Sequence, residues 1–346
     1  MKETYKKILL IELAGIGDAV LSTPMIRNLR NAYPDAFIYY LCFPGPSRFI
    51  KKSPYLNKIF TIHKGFSGFF YNIIVLNNLR NMRIDVAINL YQHYTFIGAI
   101  KMNLLLKSIN AKKNIGRNTD GKGFFYDVRI EDRIETGKHE VEYKLDLARS
   151  LDCEIKDKKL EVYFDDCAEK KAEKFLENNS ISNSDILIGI NPGGNRQVSL
   201  WDPKNFSNVA EALIKKYNAK IIITGSKKES ILVKKIRQNM SFDIIDATIM
   251  SLEELAVLIK RFRLYISNNT GPMHIANALE VPLISIEGGV LFKTAPYQKD
   301  KCIILRKHIE CSPCYKQRCS SMKCLKMISP EEVIQASIKL LEDKKI

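Results

Sequence analysis

Short apolar runs rich in β-branched residues alternate along this chain with longer stretches whose apolar positions recur every three or four residues. Residues 7–13 read as a buried strand, and 18–32 as one helix that stops before Pro34. Strands follow at 37–42 and 86–90, and 161–164 reads as the last strand of this first series. A charged helix and polar loop over 165–185 lead into a second series, with strands at 186–190, 220–224, 264–267 and 283–286. An amphipathic helix over 330–341 closes the chain. Strands alternating with helices predict parallel sheets covered on both faces, with ligands at the carboxyl ends of the strands. Because the series runs twice, the pattern predicts an α/β protein of two Rossmann-like domains facing one another across a cleft, at 1–165 and 166–330.

Length agrees, since 346 residues at roughly 150 per domain make about two. With 46% hydrophobic and 27% charged residues the chain is no disordered polymer. Charge changes the picture more. The 54 Lys and Arg against 38 Asp and Glu leave +16, which asks for an anionic partner: nucleic acid, acidic membrane or a phosphorylated small molecule. No helix-turn-helix, zinc-finger or aromatic RNA-binding signature is present, so no nucleic-acid partner is expected. No apolar stretch approaches the roughly 18 residues that span a bilayer, and no cleavage site follows the first apolar run. A cytoplasmic location is expected, with the eight cysteines as thiols.

The sharpest local motif runs from Leu13 to Pro24. Gly15 and Gly17 permit a tight strand-to-helix turn and close approach of a ligand, and Asp18 falls at the helix start. Unpaired N–H groups and the dipole there favour an ionised carboxylate, as a general base for a sugar hydroxyl requires; the same position suits a simple helix cap. The third glycine of the dinucleotide motif is missing, which argues against NAD. In the second half, Asn191-Pro-Gly-Gly-Asn-Arg196, Thr224-Gly-Ser226 and Ser267-Asn-Asn-Thr-Gly-Pro-Met-His274 each follow a strand. Any one could be a plain turn. Three on one sheet edge point to a diphosphate, with Thr270, Gly271 and Pro272 opening a helix as an anion site. His274 reads either as a phosphate or sugar ligand or as a core residue, and Trp201 as packing for the first loop.

Together these motifs resemble glycosyltransferase family 9, the ADP-heptose:lipopolysaccharide heptosyltransferases. The resemblance is carried by Gly15-Ile-Gly-Asp-Ala-Val-Leu-Ser-Thr-Pro24, Asn191-Pro-Gly-Gly194 with Trp201, Met250-Ser-Leu-Glu-Glu-Leu-Ala256 and Asn269-Thr-Gly-Pro-Met-His274. It implies a GT-B fold, with the acceptor on the N-terminal domain, an ADP-sugar on the C-terminal one, and 331–346 as a helix packing back across the cleft. It further implies inverting, metal-independent transfer without a cofactor, Asp18 acting as general base. Donor contacts are expected from Gly193, Gly194, Asn195, Arg196, Ser199, Thr224, Gly225, Met250, Asn269, Thr270, Gly271 and His274. Two positions depart from the family pattern. Ser199 stands where members carry Lys, with Arg196 the candidate replacement cation, and Asn269 stands where they carry Asp. These leave room for another sugar donor, and a GT-B epimerase or hydrolase is the alternative activity.

The acceptor, an anionic lipopolysaccharide or other lipid-linked saccharide, suits a basic stretch at 101–123. Gly17, Lys101, Lys112, Lys113 and Arg117 are its expected contacts, although a solvated lysine-rich surface reads equally well. Phe66, Phe69, Phe70 and Tyr71 read either as core or as contacts at the cytoplasmic face of the inner membrane. Cys311, Cys314, Cys319 and Cys324 could hold a structural zinc, or stay unligated or pair as disulfides.

Overall fold

A computed structural model describes residues 4–133, 138–289, 292–312, 314, 316 and 318–343. The chain forms two compact units, Met1–Tyr163 and Phe164–Ile346. In the first, β1 (Lys7–Glu12), β2 (Phe37–Cys42), β3 (Lys58–Thr61), β4 (Val86–Asn89), β5 (Lys113–Thr119) and β6 (Val128–Asp132) form one parallel sheet ordered β3-β2-β1-β4-β5-β6. β1 lies at its centre, buried from Ile8 to Glu12, which is why its sequence is almost uninterruptedly apolar. The order reverses between β1 and β4, so the crevice that such sheets use for ligands opens beside the carboxyl end of β1.

The second unit repeats the plan. β7 (Leu187–Asn191), β8 (Lys220–Ile223), β9 (Ile245–Asp246), β10 (Leu264–Asn268), β11 (Leu283–Glu287) and β12 (Cys302–Arg306) are parallel, in the order β12-β11-β10-β7-β8-β9. β10, β7 and β8 are therefore neighbours, and the three glycine-bearing loops stand side by side. The helix Pro330–Glu342 buries Val333, Ala336 and Leu340 in this unit's core. Trp201 donates its indole N–H to the carbonyl of Ile328 at 3.0 Å and so fixes where that helix begins.

Two expectations fail for stated reasons. The single helix expected over 18–32 is two, Ile16–Leu21 and Thr23–Ala32, broken at Ser22. Pro24 has no N–H to give the carbonyl of Val20, and the Thr23 hydroxyl donates to it instead at 2.7 Å. Residues 161–164 add no strand. Their backbone is engaged by the Thr23 hydroxyl (3.0 Å from the Glu161 N–H) and the Phe49 carbonyl (3.1 Å from the Tyr163 N–H), away from the sheet, and β6 is the last strand of the first unit.

Candidate active site

Asp18 lies in the first turn of Ile16–Leu21 and turns its carboxylate back onto the Gly15 N–H, at 3.0 Å. The sequence pointed to a carboxylate held ionised by the helix terminus. Its surroundings push the other way: burial, and then Glu140, raise its pKa, while Lys144 and the Gly15 N–H act against them. A carboxylate raised in this manner is a better proton acceptor once ionised.

Around it stands a set of ionisable residues that the sequence reading passed over. Glu12 ends β1 fully buried and is paired with the Lys144 ammonium on the helix Glu140–Arg149. Burial outweighs Lys144 and pushes the Glu12 carboxyl up to about 7. The folded value lies above the roughly 4.3 of an unfolded glutamate, so the folded chain binds this proton more tightly. The associated stability is complete below pH ~4 and is lost as pH rises through about 7. Thermal unfolding of the Glu12→Gln variant should lack this slope, worth on the order of 3–4 kcal/mol; an unchanged slope would show another group responsible.

Arg117, expected on a basic acceptor surface, is completely buried. Its guanidinium lies 2.7 Å from Asp132 Oδ2, is ion-paired with Glu140, reaches Gln92 Oε1 at 3.3 Å and stacks over Tyr143 at 4.2 Å. Next to it His93 joins Tyr126 Oη at 2.8 Å and Asn89 Nδ2 at 3.2 Å. Burial and then Arg117 push its pKa down to about 4, so it is neutral at physiological pH.

The other expected acceptor residues do not gather here. Gly17 does, one residue from Asp18. Lys112 pairs with Asp85 at 2.7 Å, and Lys113 opens β5 with its ammonium 3.1 Å from Tyr5 Oη. Lys113 is level with Val86 and Ile8, at the amino edge of the sheet and opposite Asp18. β5 carries the basic stretch from one edge to the other, so its cations cannot form one face. Lys101 is exposed on the helix Phe96–Ile109.

On the second unit the loops converge as expected, held by residues the sequence reading did not assign. Asn268 Nδ2 donates to the carbonyls of Pro192 (2.9 Å) and Gly193 (3.2 Å), tying the first loop to the end of β10. Glu229 accepts from the Gly194 N–H at 2.9 Å, the Ser226 N–H at 2.6 Å and the Ser226 hydroxyl at 2.8 Å, tying that loop to the one after β8. A side chain at Gly193 would run into the Glu229 carboxylate, and Gly225 has φ +156°, a conformation that favours glycine. Asn195 is exposed and Arg196 half-buried at the mouth of this loop, while Ser199 is buried beneath it. The Thr224 hydroxyl faces inward, 2.7 Å from Tyr265 Oη.

Thr270 precedes the helix Gly271–Ala278 without capping it through its side chain, and Pro272 stands in the first turn. The helix start thus keeps its positive end beside the first loop. His274 is buried on that helix, and Met250 is half-buried just ahead of the helix Leu252–Lys260. Asn269 donates to Glu287 Oε1 at 3.1 Å and to the Thr294 carbonyl at 2.9 Å. Glu287 is also paired with Arg306, which stacks on Phe292 at 3.9 Å. An aspartate at 269 could donate neither bond, so the departure at this position is matched by its surroundings.

The four cysteines near the C-terminus show no zinc cluster: every cysteine is free, and among the described residues no three His, Cys, Asp or Glu side chains are grouped to hold a metal. None of the described helices is long and apolar enough to cross a membrane.

The family model described as Glycosyltransferase family 9 (heptosyltransferase) matches residues 75–325. The chain belongs to glycosyltransferase family 9. It is an enzyme that transfers glycosyl groups, built on the GT-B fold of this family. Lipooligosaccharide heptosyltransferase 2 of Campylobacter jejuni subsp. jejuni is 24% identical over 337 residues, covering 95% of this chain and 96% of the relative. The crystal structure of the glycosyl transferase family 9 protein of Veillonella parvula superposes with a TM-score of 0.81 at 23% identity, over 99% of this chain and 98% of that one. The E. coli ADP-heptose lipopolysaccharide heptosyltransferase II structure gives 0.77 at 21% identity, over 98% of this chain and 100% of that one.

Proposed function

We propose that this family 9 glycosyltransferase moves heptose from ADP-heptose to a hydroxyl of a lipopolysaccharide inner-core acceptor at the cytoplasmic face of the inner membrane. The observation that carries the reading is the donor edge: the Pro192–Arg196 stretch, braced by Asn268 and Glu229, stands beside the start of Gly271–Ala278, which the Thr270 side chain does not cap. Backbone N–H groups, the helix dipole and the Arg196 guanidinium there suit a diphosphate. Support for the sugar and the acceptor comes from the relatives' own activities.

The acceptor hydroxyl oxygen attacks the anomeric carbon as its proton passes to the Asp18 carboxylate. The bond from that carbon to the diphosphate oxygen breaks, and its electron pair leaves with ADP. Attack opposite the leaving group inverts the anomeric configuration, and the helix start offsets the charge gathering on the diphosphate. In this step the chain's own residues act without a metal ion.

A panel of nucleotide sugars tests the donor. ADP-heptose at a hundredfold excess over its Kd should stabilise the protein by about 2.7 kcal/mol, read as a rise in Tm. UDP- and GDP-sugars at equal concentration should leave Tm unchanged. Stabilisation by a UDP- or GDP-sugar alone would refute the donor assignment.

A further inference from the structure

We infer that the outer face of the helices Phe69–Asn81 and Phe96–Ile109 docks this enzyme on an anionic phospholipid bilayer. The inference deepens the proposed function and rests on its lipid-linked acceptor. On the sheet side the second helix buries Ala99, Met102, Leu106 and Ile109, as a core-facing stripe should. Its opposite side is just as apolar: Ile97 is 67% exposed, Ile100 51% and Leu104 61%, all on one face at helical spacing. The neighbouring helix and the turn before it add Phe66 at 91%, Phe70 at 79% and Ile74 at 59%. Single exposed apolar residues need no explanation, but adjoining helices that are apolar on both sides do.

Charge selects the occupant. From Lys64 to Thr119 the only carboxylate is Asp85, and it is held at the far edge of the sheet by Lys112 and by the N–H groups of Lys6 and Lys7. Lys101 and Lys107 lie on the exposed stripe itself, one helical turn from Ile97 and Leu104 respectively. An apolar face edged by lysines, whose one bordering acid, Asp120, is paired with Lys122 beside Phe96, matches anionic headgroups over an acyl layer. A second copy of the same face would set lysines against lysines, which disfavours self-association. Both helices begin where β3 and β4 end, at the edge that also carries Glu12 and Asp18. A saccharide borne on the same bilayer would thus be presented at the edge where the base stands.

Vesicle co-sedimentation without any substrate tests this. Wild-type protein should sediment with vesicles of phosphatidylethanolamine and phosphatidylglycerol and stay in solution with pure phosphatidylcholine. The triple variant Phe70→Asn, Ile97→Asn, Leu104→Asn should bind the anionic vesicles at least roughly tenfold more weakly. It should keep wild-type Tm and wild-type transfer to a deacylated, water-soluble acceptor. Equal vesicle binding by variant and wild type, or no binding by wild type, would overturn the inference. So would a wild-type dimer in sedimentation velocity that the substitutions convert to monomer. Vesicle binding as described, with no transfer to any core acceptor, would leave the docking face standing and defeat the proposed function instead.

Discussion

Asp18→Asn should lower kcat for heptosyl transfer by about 10²–10⁴-fold while leaving the Tm shift produced by ADP-heptose intact. The amide oxygen of asparagine can still accept the Gly15 N–H, so the start of the helix Ile16–Leu21 survives and the loss isolates proton acceptance. Alanine would be a poorer choice, because it also removes that bond, at a cost of about 1 kcal/mol. The residual activity should not recover at high pH, since asparagine has no proton to lose there. Wild-type turnover by Asp18→Asn would remove the base from the mechanism. Loss of the ADP-heptose shift would instead make Asp18 a donor contact.

Arg117→Met should destabilise the first unit by about 3–5 kcal/mol, the largest stability effect expected from any single replacement around the site. Methionine fills much of the volume but leaves Asp132 and Glu140 buried without their shared counter-charge. Lysine should rescue little, because a point charge cannot reach both carboxylates and Gln92 as the planar guanidinium does. Lys144→Met makes the informative contrast. Its partner Glu12, with a pKa of about 7, takes up a proton at little cost, so stability should fall less. Activity should respond differently: without Lys144 the Asp18 pKa rises, and the acid limb of the kcat/KM profile should move to higher pH. Equal thermal losses in the two variants would contradict the distinction between a locked pair and a titrating one.

Local signals made much of this legible in advance. The Gly15–Asp18 turn, the three strand-end loops and the doubled strand–helix alternation each occupy a few adjacent residues, where spacing is read directly. The polar cluster around Asp18 was not legible, because Glu12 and Lys144 are 132 positions apart and Arg117 meets Glu140 across 23. The acid that closes the apolar run of β1 was its one visible trace. Glu229 did leave a signal: Ser226-Lys-Lys-Glu229 has the capping-box spacing, and the box forms. The Thr23-Pro24 pair likewise announced the helix break at Ser22. β5 and β6 escaped notice because Lys113–Thr119 and Val128–Asp132 are polar, lying toward one side of the sheet with half-exposed positions.

Transfer to an acceptor through Asp18 is decided by analysis of the products. ADP-heptose and a lipopolysaccharide inner-core acceptor would be incubated with wild type and with Asp18→Asn, and the products followed by mass spectrometry and by NMR of the anomeric proton. Wild type should add one heptosyl unit to the acceptor, with inverted anomeric configuration and ADP released in equal amount, and the variant almost none. Consumption of ADP-heptose to free sugar or to an isomer, at the same rate with or without acceptor, would contradict this.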